Sequence, residues 1–159
     1  MDRTAAKFRK KKAWFTGLPK LTIVTPSNWL ADLVKQSFFS ECNIQVIHNG
    51  IDLSIYHPEP SNVHEKYGCQ DKKILLGVAS HWSERKGLDV FVYLAKELDD
   101  QYRIILVGTD EMIDAQLPKN IISIHRTSNQ KELEQLYSAA DLFVNPTREE
   151  NYPTVNMEA

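Results

Sequence analysis

Short apolar runs rich in β-branched residues alternate with segments of helical periodicity along most of this chain. This alternation constrains the fold more than any other feature. The runs cover residues 21–25, 44–47, 74–79, 102–107, 121–124 and 142–145. Run 74–79 is almost continuously apolar, which is typical of a strand buried on both faces of a parallel sheet. Strands that alternate with helices over short loops predict an α/β protein with a Rossmann-like, doubly wound parallel sheet.

Helices are predicted where apolar residues recur three or four positions apart between these runs. Ser27 is expected to be the N-cap of the first such helix, because a serine hydroxyl accepts a hydrogen bond from an amide of the first turn. That helix is predicted to reach Phe38. The other predicted helices are residues 87–98 and 131–140, with short helical turns at 64–67 and 110–116. Residues 52–70 contain two prolines and are interpreted as a linker.

The composition narrows the class of protein. The chain has 159 residues, of which 42% are hydrophobic and 25% charged, and this suffices for one buried core. A net charge of -2 argues against a nucleic-acid binder, which would be basic overall. Cys42 and Cys69 show neither disulfide-framework nor zinc-ligand spacing, which fits a reducing cytoplasm. No apolar run approaches the roughly 18 residues that cross a bilayer, so we expect a cytoplasmic protein.

The segments that directly follow strands are the first places to look for a ligand site. In open α/β sheets, ligands bind beyond the carboxyl ends of the strands. One of these segments, residues 80–86, ends in Arg85 and Lys86 just before a helix. Two cations and a helix N-terminus would converge there on one anion, such as a diphosphate. The alternative interpretation is an exposed pair of charges with no ligand.

The last residues of the chain carry a second pattern. Residues 141–159 are interpreted as a strand, a polar loop with prolines, and the start of a helix. Glu150 lies in the loop, and Glu158 follows after seven intervening residues, one turn inside the helix. A helix N-terminus binds phosphate, and a carboxylate one turn further can reach sugar hydroxyls. The segment therefore indicates a nucleotide-sugar site.

The stretch Glu150-Asn-Tyr-Pro-Thr-Val-Asn-Met-Glu158 resembles the Glu-x7-Glu signature of retaining GT-B glycosyltransferases, family 4 or group 1. Residues 47–52 resemble the beginning of that family's C-terminal domain, and residues 77–87 its donor-phosphate loop. The resemblance implies a GT-B type fold truncated at both ends. Residues 1–43 would be the end of the N-terminal acceptor domain, and residues 44–159 an incomplete nucleotide-sugar-binding domain.

The resemblance also implies roles for individual residues. Arg85 and Lys86 would bind the donor diphosphate and stabilise the leaving group, Glu150 would lie near the transferred sugar, and Glu158 would accept hydrogen bonds from the ribose. Further contacts to the nucleotide are expected from Ser80, Arg126, Asn151, Tyr152, Pro153, Thr154 and Val155. Many relatives have a glycine-rich loop where residues 151–153 lie here, so the sugar specificity cannot be carried over.

The reaction implied is transfer of a sugar from a nucleotide-diphosphate sugar to a carbohydrate or lipid-linked acceptor, with retention of configuration, in polysaccharide or glycoconjugate biosynthesis. No cofactor and no metal are expected. We expect this chain alone to be inactive, because the acceptor domain would be missing. One alternative is a non-catalytic nucleotide- or phosphate-binding Rossmann-like module. An NAD-dependent enzyme is disfavoured because residues 77–80 lack the Gly-x-Gly-x-x-Gly turn.

The first twenty residues contain seven cationic side chains against one acid. One interpretation is the solvated face of a surface helix that is broken near Gly17 and Pro19. The other is attraction to anionic lipid headgroups, which would place the protein peripherally at the inner face of the membrane.

Overall fold

The structure, a computed structural model, describes residues 3–159 and divides into two compact units, the first ending at Asn49 and the second beginning at Gly50. The first unit contains α1 (Thr4–Phe15), β1 (Thr22–Thr25), α2 (Asn28–Lys35) and β2 (Asn43–Val46). Strands β1 and β2 pair in parallel. Because β2 pairs with β1, it belongs to the first unit. The division into domains expected after residue 43 stays a prediction.

The helix predicted after Ser27 is present, with the expected N-cap. The Ser27 Oγ accepts a hydrogen bond from the Leu30 amide at 3.1 Å. The helix ends at Lys35, however, before it reaches Phe38. The Ser37 hydroxyl donates to the carbonyl of Val34 at 2.7 Å and so competes with continuation of the helix. Phe38 instead packs edge-to-face against a ring of α1, with 5.3 Å between the ring centroids.

The second unit follows the predicted alternation of helices and strands. Its elements are α3 (Val63–Lys66), β3 (Lys73–Val78), a 3₁₀ helix (Glu84–Lys86), α4 (Leu88–Glu97), β4 (Tyr102–Val107), α5 (Glu111–Asp114), β5 (Ile121–Ile124), α6 (Gln130–Ala139), β6 (Leu142–Phe143) and α7 (Val155–Glu158). Strand β6 is shorter than the predicted 142–145, because pairing with β3 covers only its first two residues. The α/β fold with parallel pairing is confirmed.

The strand order in this sheet is β5-β4-β3-β6, and every pair is parallel. The chain moves outward from β3 through β4 to β5 and then crosses back to lie on the other side of β3. The strand order therefore reverses between β3 and β6. In open α/β sheets, ligands bind at such a reversal, beyond the carboxyl ends of the strands. The loops that follow β3 and β6 lie on either side of this point.

Apolar side chains cover both faces of the sheet. On one face, Phe91 of α4 is completely buried and packs with Trp82, Leu106 and neighbouring residues. On the other face, Leu136 of α6 packs against Ile105 and other buried side chains. The near-continuous apolar character of β3 is thereby explained, since its alternate residues enter two different cores. The two layers of helices leave the strand ends accessible.

Candidate functional site

The loop after β3 is anchored by a tryptophan that the sequence analysis did not single out. Trp82 is 2% exposed, and its Nε1 donates a hydrogen bond to the carbonyl of Val107, the last residue of β4, at 2.9 Å. Its ring packs edge-to-face on Phe91, with 5.2 Å between the centroids. The indole therefore fixes the loop against the sheet. The 3₁₀ helix that carries Arg85 and Lys86 follows directly.

This loop packs against the loop after β6. Gly87 ends the 3₁₀ helix with a φ of 79°, and a Cβ there would lie 2.5 Å from the Cγ of Pro146. Only a glycine fits both the backbone angle and the close approach. The amide of Arg148 donates to the carbonyl of Arg85 at 3.0 Å, which joins the two loops through their backbones. Two segments separated by some sixty residues in sequence thus form one surface.

The three residues predicted to be catalytic lie together on this surface. Lys86 forms an ion pair with the carboxylate of Glu150, and the two side chains are 20% and 32% exposed. The Nη1 of Arg85 donates to the carbonyl of Glu149 at 2.9 Å. The hydrogen bond from Lys86 lowers the pKa of Glu150, so this carboxylate is ionised near neutral pH. The site therefore places two cations beside one anionic carboxylate.

A cavity of about 440 Å³ opens where β3, β4 and β5 end, and we call it the strand-end cavity. Four of the residues predicted to contact the nucleotide line it: Ser80, Arg126, Val155 and Glu158. The remaining lining residues are Val78, Ala79, Val107, Gly108, His125, Thr127 and Leu133. Apolar walls with a few polar groups are typical of a site that binds an organic ligand.

Glu158 is held in position by a residue of α6. The hydroxyl of Tyr137 donates to Oε2 of Glu158 at 3.0 Å. Burial of the phenol, together with the nearby Glu158 carboxylate, raises the pKa of Tyr137, so the phenol keeps its proton. From the sequence, Tyr137 was expected only to lie within the predicted helix of residues 131–140. It also orients the acid of the strand-end cavity, a long-range contact that helical spacing does not reveal.

Most residues between the two glutamates connect them and do not line the strand-end cavity. The amide of Asn151 donates to Oε1 of Glu150 at 3.2 Å, so the carboxylate binds its own loop. Thr154 is exposed, and its carbonyl accepts from the amide of Glu158 at 3.0 Å, within the first turn of α7. Among residues 151–155, only Val155 lines the strand-end cavity. The predicted contacts of Asn151, Tyr152, Pro153 and Thr154 with phosphates stay predictions.

A histidine and an aspartate pair beside the strand-end cavity. The Nε2 of His125 lies 2.7 Å from Oδ2 of Asp114, and the hydroxyl of Ser123 donates to Oδ1 of the same carboxylate at 2.5 Å. The hydrogen bond to Asp114 raises the pKa of His125. Sequence spacing gave no signal for this pair, because Asp114 ends α5 and His125 follows β5, eleven residues further along the chain.

In the described part of the chain, no three His, Cys, Asp or Glu side chains are grouped closely enough to hold a metal ion. Beside Glu150, Lys86 and Arg85 supply positive charge.

Comparison with known proteins identifies the family to which this chain belongs. The family model for the group 1 glycosyl transferases matches residues 72–159, which contain every strand of the larger sheet and both glutamates of the terminal motif. The chain belongs to this family. A curated relative, alpha-galactosylglucosyldiacylglycerol synthase from Streptococcus pneumoniae (strain ATCC BAA-255 / R6), is 28% identical over 163 aligned residues. The alignment covers 92% of this chain and 42% of the relative, so the chain spans less than half the length of that protein.

Solved structures share the fold, which is similar to that of GT-B glycosyltransferases. Sucrose-phosphate synthase from Thermosynechococcus elongatus superposes with a TM-score of 0.78 at 20% identity, over 99% of this chain and 42% of that one. HepE from Anabaena, in complex with UDP-glucose, gives a TM-score of 0.73 at 18% identity, over 98% and 46% of the two chains. At these identities the likeness concerns the fold.

Proposed function

We propose that this chain is the donor-binding part of a retaining glycosyltransferase that transfers a sugar from a nucleotide-diphosphate sugar. The observation that carries the proposal is the grouping of Arg85, Lys86 and Glu150 in the loops after β3 and β6, together with a strand-end cavity that Glu158 lines. The group 1 family and the UDP-glucose in the structure of HepE support this choice of ligand.

The proposed roles follow from the charges. The diphosphate binds Arg85 and Lys86, which stabilise it as the bond to the sugar breaks. Glu158, held by Tyr137, accepts hydrogen bonds from ribose hydroxyls. Glu150 acts near the transferred sugar. We propose that the reaction needs no metal, since the two side-chain cations supply the positive charge.

The ion pair of Lys86 with Glu150 affects how the donor diphosphate binds. Before the donor binds, the charge of Lys86 is already balanced by Glu150. A diphosphate must therefore replace the carboxylate as the ligand of Lys86. In the complex, Glu150 is released toward the sugar, where a nearby anion stabilises positive charge as it develops.

We expect substitutions of the two glutamates to act differently on nucleotide affinity. Glu158→Ala removes an acceptor for the ribose hydroxyls and weakens binding of a nucleoside diphosphate about tenfold or more, the usual size for a hydrogen bond to a charged group. Glu150→Ala removes the competitor for Lys86 and leaves the affinity equal or higher. Calorimetry with UDP, GDP and ADP in EDTA measures both effects.

Glu158→Gln is the matched control, because it keeps one acceptor and the size of the side chain. Thermal unfolding of each variant shows whether the fold persists. Equal losses of affinity in Glu150→Ala and Glu158→Ala would contradict the separate roles. Binding only after Mg²⁺ or Mn²⁺ is added would contradict metal independence.

The acceptor we propose is a carbohydrate or a lipid-linked molecule in polysaccharide or glycoconjugate synthesis. The curated relative is named for the synthesis of a glycosylated diacylglycerol, which supports the lipid-linked alternative.

In this chain, the residues of α1 are exposed and include five cations: Lys7, Arg9, Lys10, Lys11 and Lys12. Trp14 is 67% exposed on the same helix. No helix formed by residues 3–159 is long and apolar enough to span a membrane. Contact with an anionic membrane surface through α1 is part of the proposal.

Neutralising Lys10, Lys11 and Lys12 to glutamine is expected to weaken binding to vesicles that contain phosphatidylglycerol by at least about tenfold, since each cation near an anionic surface contributes about 1 kcal/mol. Co-sedimentation with vesicles of phosphatidylcholine, with and without phosphatidylglycerol, measures this binding. The matched control removes the same charge from Lys35, Lys96 and Lys119, which are exposed elsewhere. Equal effects of the two triple variants would show that α1 is only a solvated helix.

A further inference from the structure

Two short charged segments contact each other in the candidate site, and their charges run in opposite order. The 3₁₀ helix has the sequence Glu84-Arg85-Lys86, and the loop after β6 contains Arg148-Glu149-Glu150. The side chain of Arg148 has no role in the reaction proposed above. We propose that Arg148 is a positioning residue, which holds the 3₁₀ helix so that Arg85 and Lys86 meet the donor diphosphate in a fixed arrangement. This inference rests on the proposed function and deepens it.

The contacts of Arg148 connect both ends of the 3₁₀ helix to the loop after β6. Its Nη1 donates to the carbonyl of Glu84, the first residue of that helix. Its backbone amide donates to the carbonyl of Arg85 at 3.0 Å. Its Nη2 donates to Oδ2 of Asp89, in the first turn of α4, at 2.5 Å. A single residue therefore holds the 3₁₀ helix and the start of the helix that follows it.

The 3₁₀ helix depends on contacts from outside, because little holds it from within. It is three residues long, and none of its residues is buried. The amide of Gly87 donates to the carbonyl of Glu84 at 3.0 Å, which closes its turn. A short 3₁₀ turn has poorer hydrogen-bond geometry than an α-helix. Trp82 anchors the loop before this helix, and Arg148 binds the helix itself.

Donor binding makes the contacts of Arg148 more important. In the proposed reaction the diphosphate replaces Glu150 as the ligand of Lys86, so an ion pair that joins the two loops breaks. The side-chain contacts of Arg148 involve no group that the diphosphate is proposed to bind. These contacts persist in the complex and keep both cations in place.

Asp89 keeps the guanidinium of Arg148 on the 3₁₀ helix and α4. The hydrogen bond from Arg148 lowers the pKa of Asp89, so this carboxylate is ionised near neutral pH. If Arg148 were instead a third ligand of the diphosphate, Asp89 would compete with the donor, as Glu150 does for Lys86. The two possibilities therefore predict opposite effects on affinity when the charge of Asp89 is removed.

Calorimetry of the full chain with UDP tests the inference. Arg148→Met should weaken UDP binding about tenfold, since two hydrogen bonds from a charged donor are lost. Asp89→Asn should weaken it about threefold, the size of an exposed ion pair. Arg148→Lys should recover only part of the loss, because one ammonium group cannot reproduce two nitrogens that bind two acceptors. The matched control is Asp32→Asn, which removes the acid of an exposed pair with Lys35 and should bind UDP as wild type does.

A ligand without phosphates separates positioning from a general structural role. Uridine should bind wild type and Arg148→Met equally, because it lacks the group that Arg85 and Lys86 bind. Titration followed by nuclear magnetic resonance measures this weaker binding. Thermal unfolding checks that each variant remains folded. If Arg148→Met does not fold, Asp89→Asn decides the matter, since it alters a side chain that is half exposed.

Weaker UDP binding by both variants, with uridine binding unchanged, is the result expected. Unchanged UDP affinity, or equal losses of affinity for UDP and uridine, overturns the inference while the proposed function stands. Tighter UDP binding by Asp89→Asn also overturns it, because Arg148 would then be a ligand of the diphosphate. Absence of binding of any nucleoside diphosphate by the wild type overturns both.

Discussion

Trp82→Ala is expected to lower the free energy of unfolding by about 3–5 kcal/mol, as large-to-small substitutions of buried aromatic residues do. The indole is 2% exposed, packs on Phe91, and donates to the carbonyl of Val107. The same substitution should abolish nucleotide binding, because the loop that carries Arg85 and Lys86 loses its anchor. Urea unfolding followed by circular dichroism measures the first effect, and calorimetry with UDP measures the second.

The chain offers a matched control for this substitution. Trp29 is 56% exposed on α2, so Trp29→Ala should change the free energy of unfolding by no more than about 0.5 kcal/mol. Trp82→Phe keeps an aromatic ring without the Nε1 donor. Its free energy of unfolding should lie between those of wild type and Trp82→Ala. A loss below about 1 kcal/mol for Trp82→Ala would mean that the indole does not anchor the loop.

Gly108→Ala is the second substitution for which we expect a large effect. Gly108 has a φ of 88°, and a Cβ there would lie 1.6 Å from the carbonyl oxygen of Ala79. Both residues line the strand-end cavity, so the backbone at the ends of β3 and β4 must separate. We expect a loss of about 3 kcal/mol or more in the free energy of unfolding, or failure to fold, because the clash adds to the strain of the left-handed conformation.

Gly68→Ala separates these two causes. Gly68 has a φ of 64°, and nothing lies within 4 Å of a Cβ built there. It therefore reports only the strain of the left-handed backbone, about 1–2 kcal/mol. Urea unfolding of both variants gives the comparison. If Gly108→Ala lowers the free energy of unfolding no more than Gly68→Ala does, the close approach of Ala79 to Gly108 is not a constraint on the cavity.

Much of the fold could be predicted because local pattern and tertiary structure agree here. The apolar run in β3 enters two cores, and its continuous character follows from that position. The cap at Ser27 could be predicted because it depends on a contact three residues away. The pairing of β2 with β1 had no signal in the sequence, because sequence does not say which strands pair. The helix ends early at Ser37 through a side-chain hydrogen bond that competes with the helical pattern.

The site was predictable in its residue types and less so in its contacts. Glu150 and Lys86 were found from separate motifs, and the structure brings them into an ion pair that neither motif implies. Tyr137 and Glu158 lie on different helices, and only the packing of α6 against α7 joins them. Trp82 lies in a polar loop, where a single aromatic residue carries no periodic signal. Long-range contacts of this kind depend on the assembled sheet.

A crystal structure of this chain with UDP, grown in EDTA, tests the central claim most directly. We expect the nucleoside in the strand-end cavity, with ribose hydroxyls within hydrogen-bonding distance of Glu158. We also expect the diphosphate to contact Arg85 and Lys86, with Glu150 no longer paired to Lys86. A nucleotide bound elsewhere on the chain, or one in the cavity with its phosphates away from both cations, would contradict the proposed donor site.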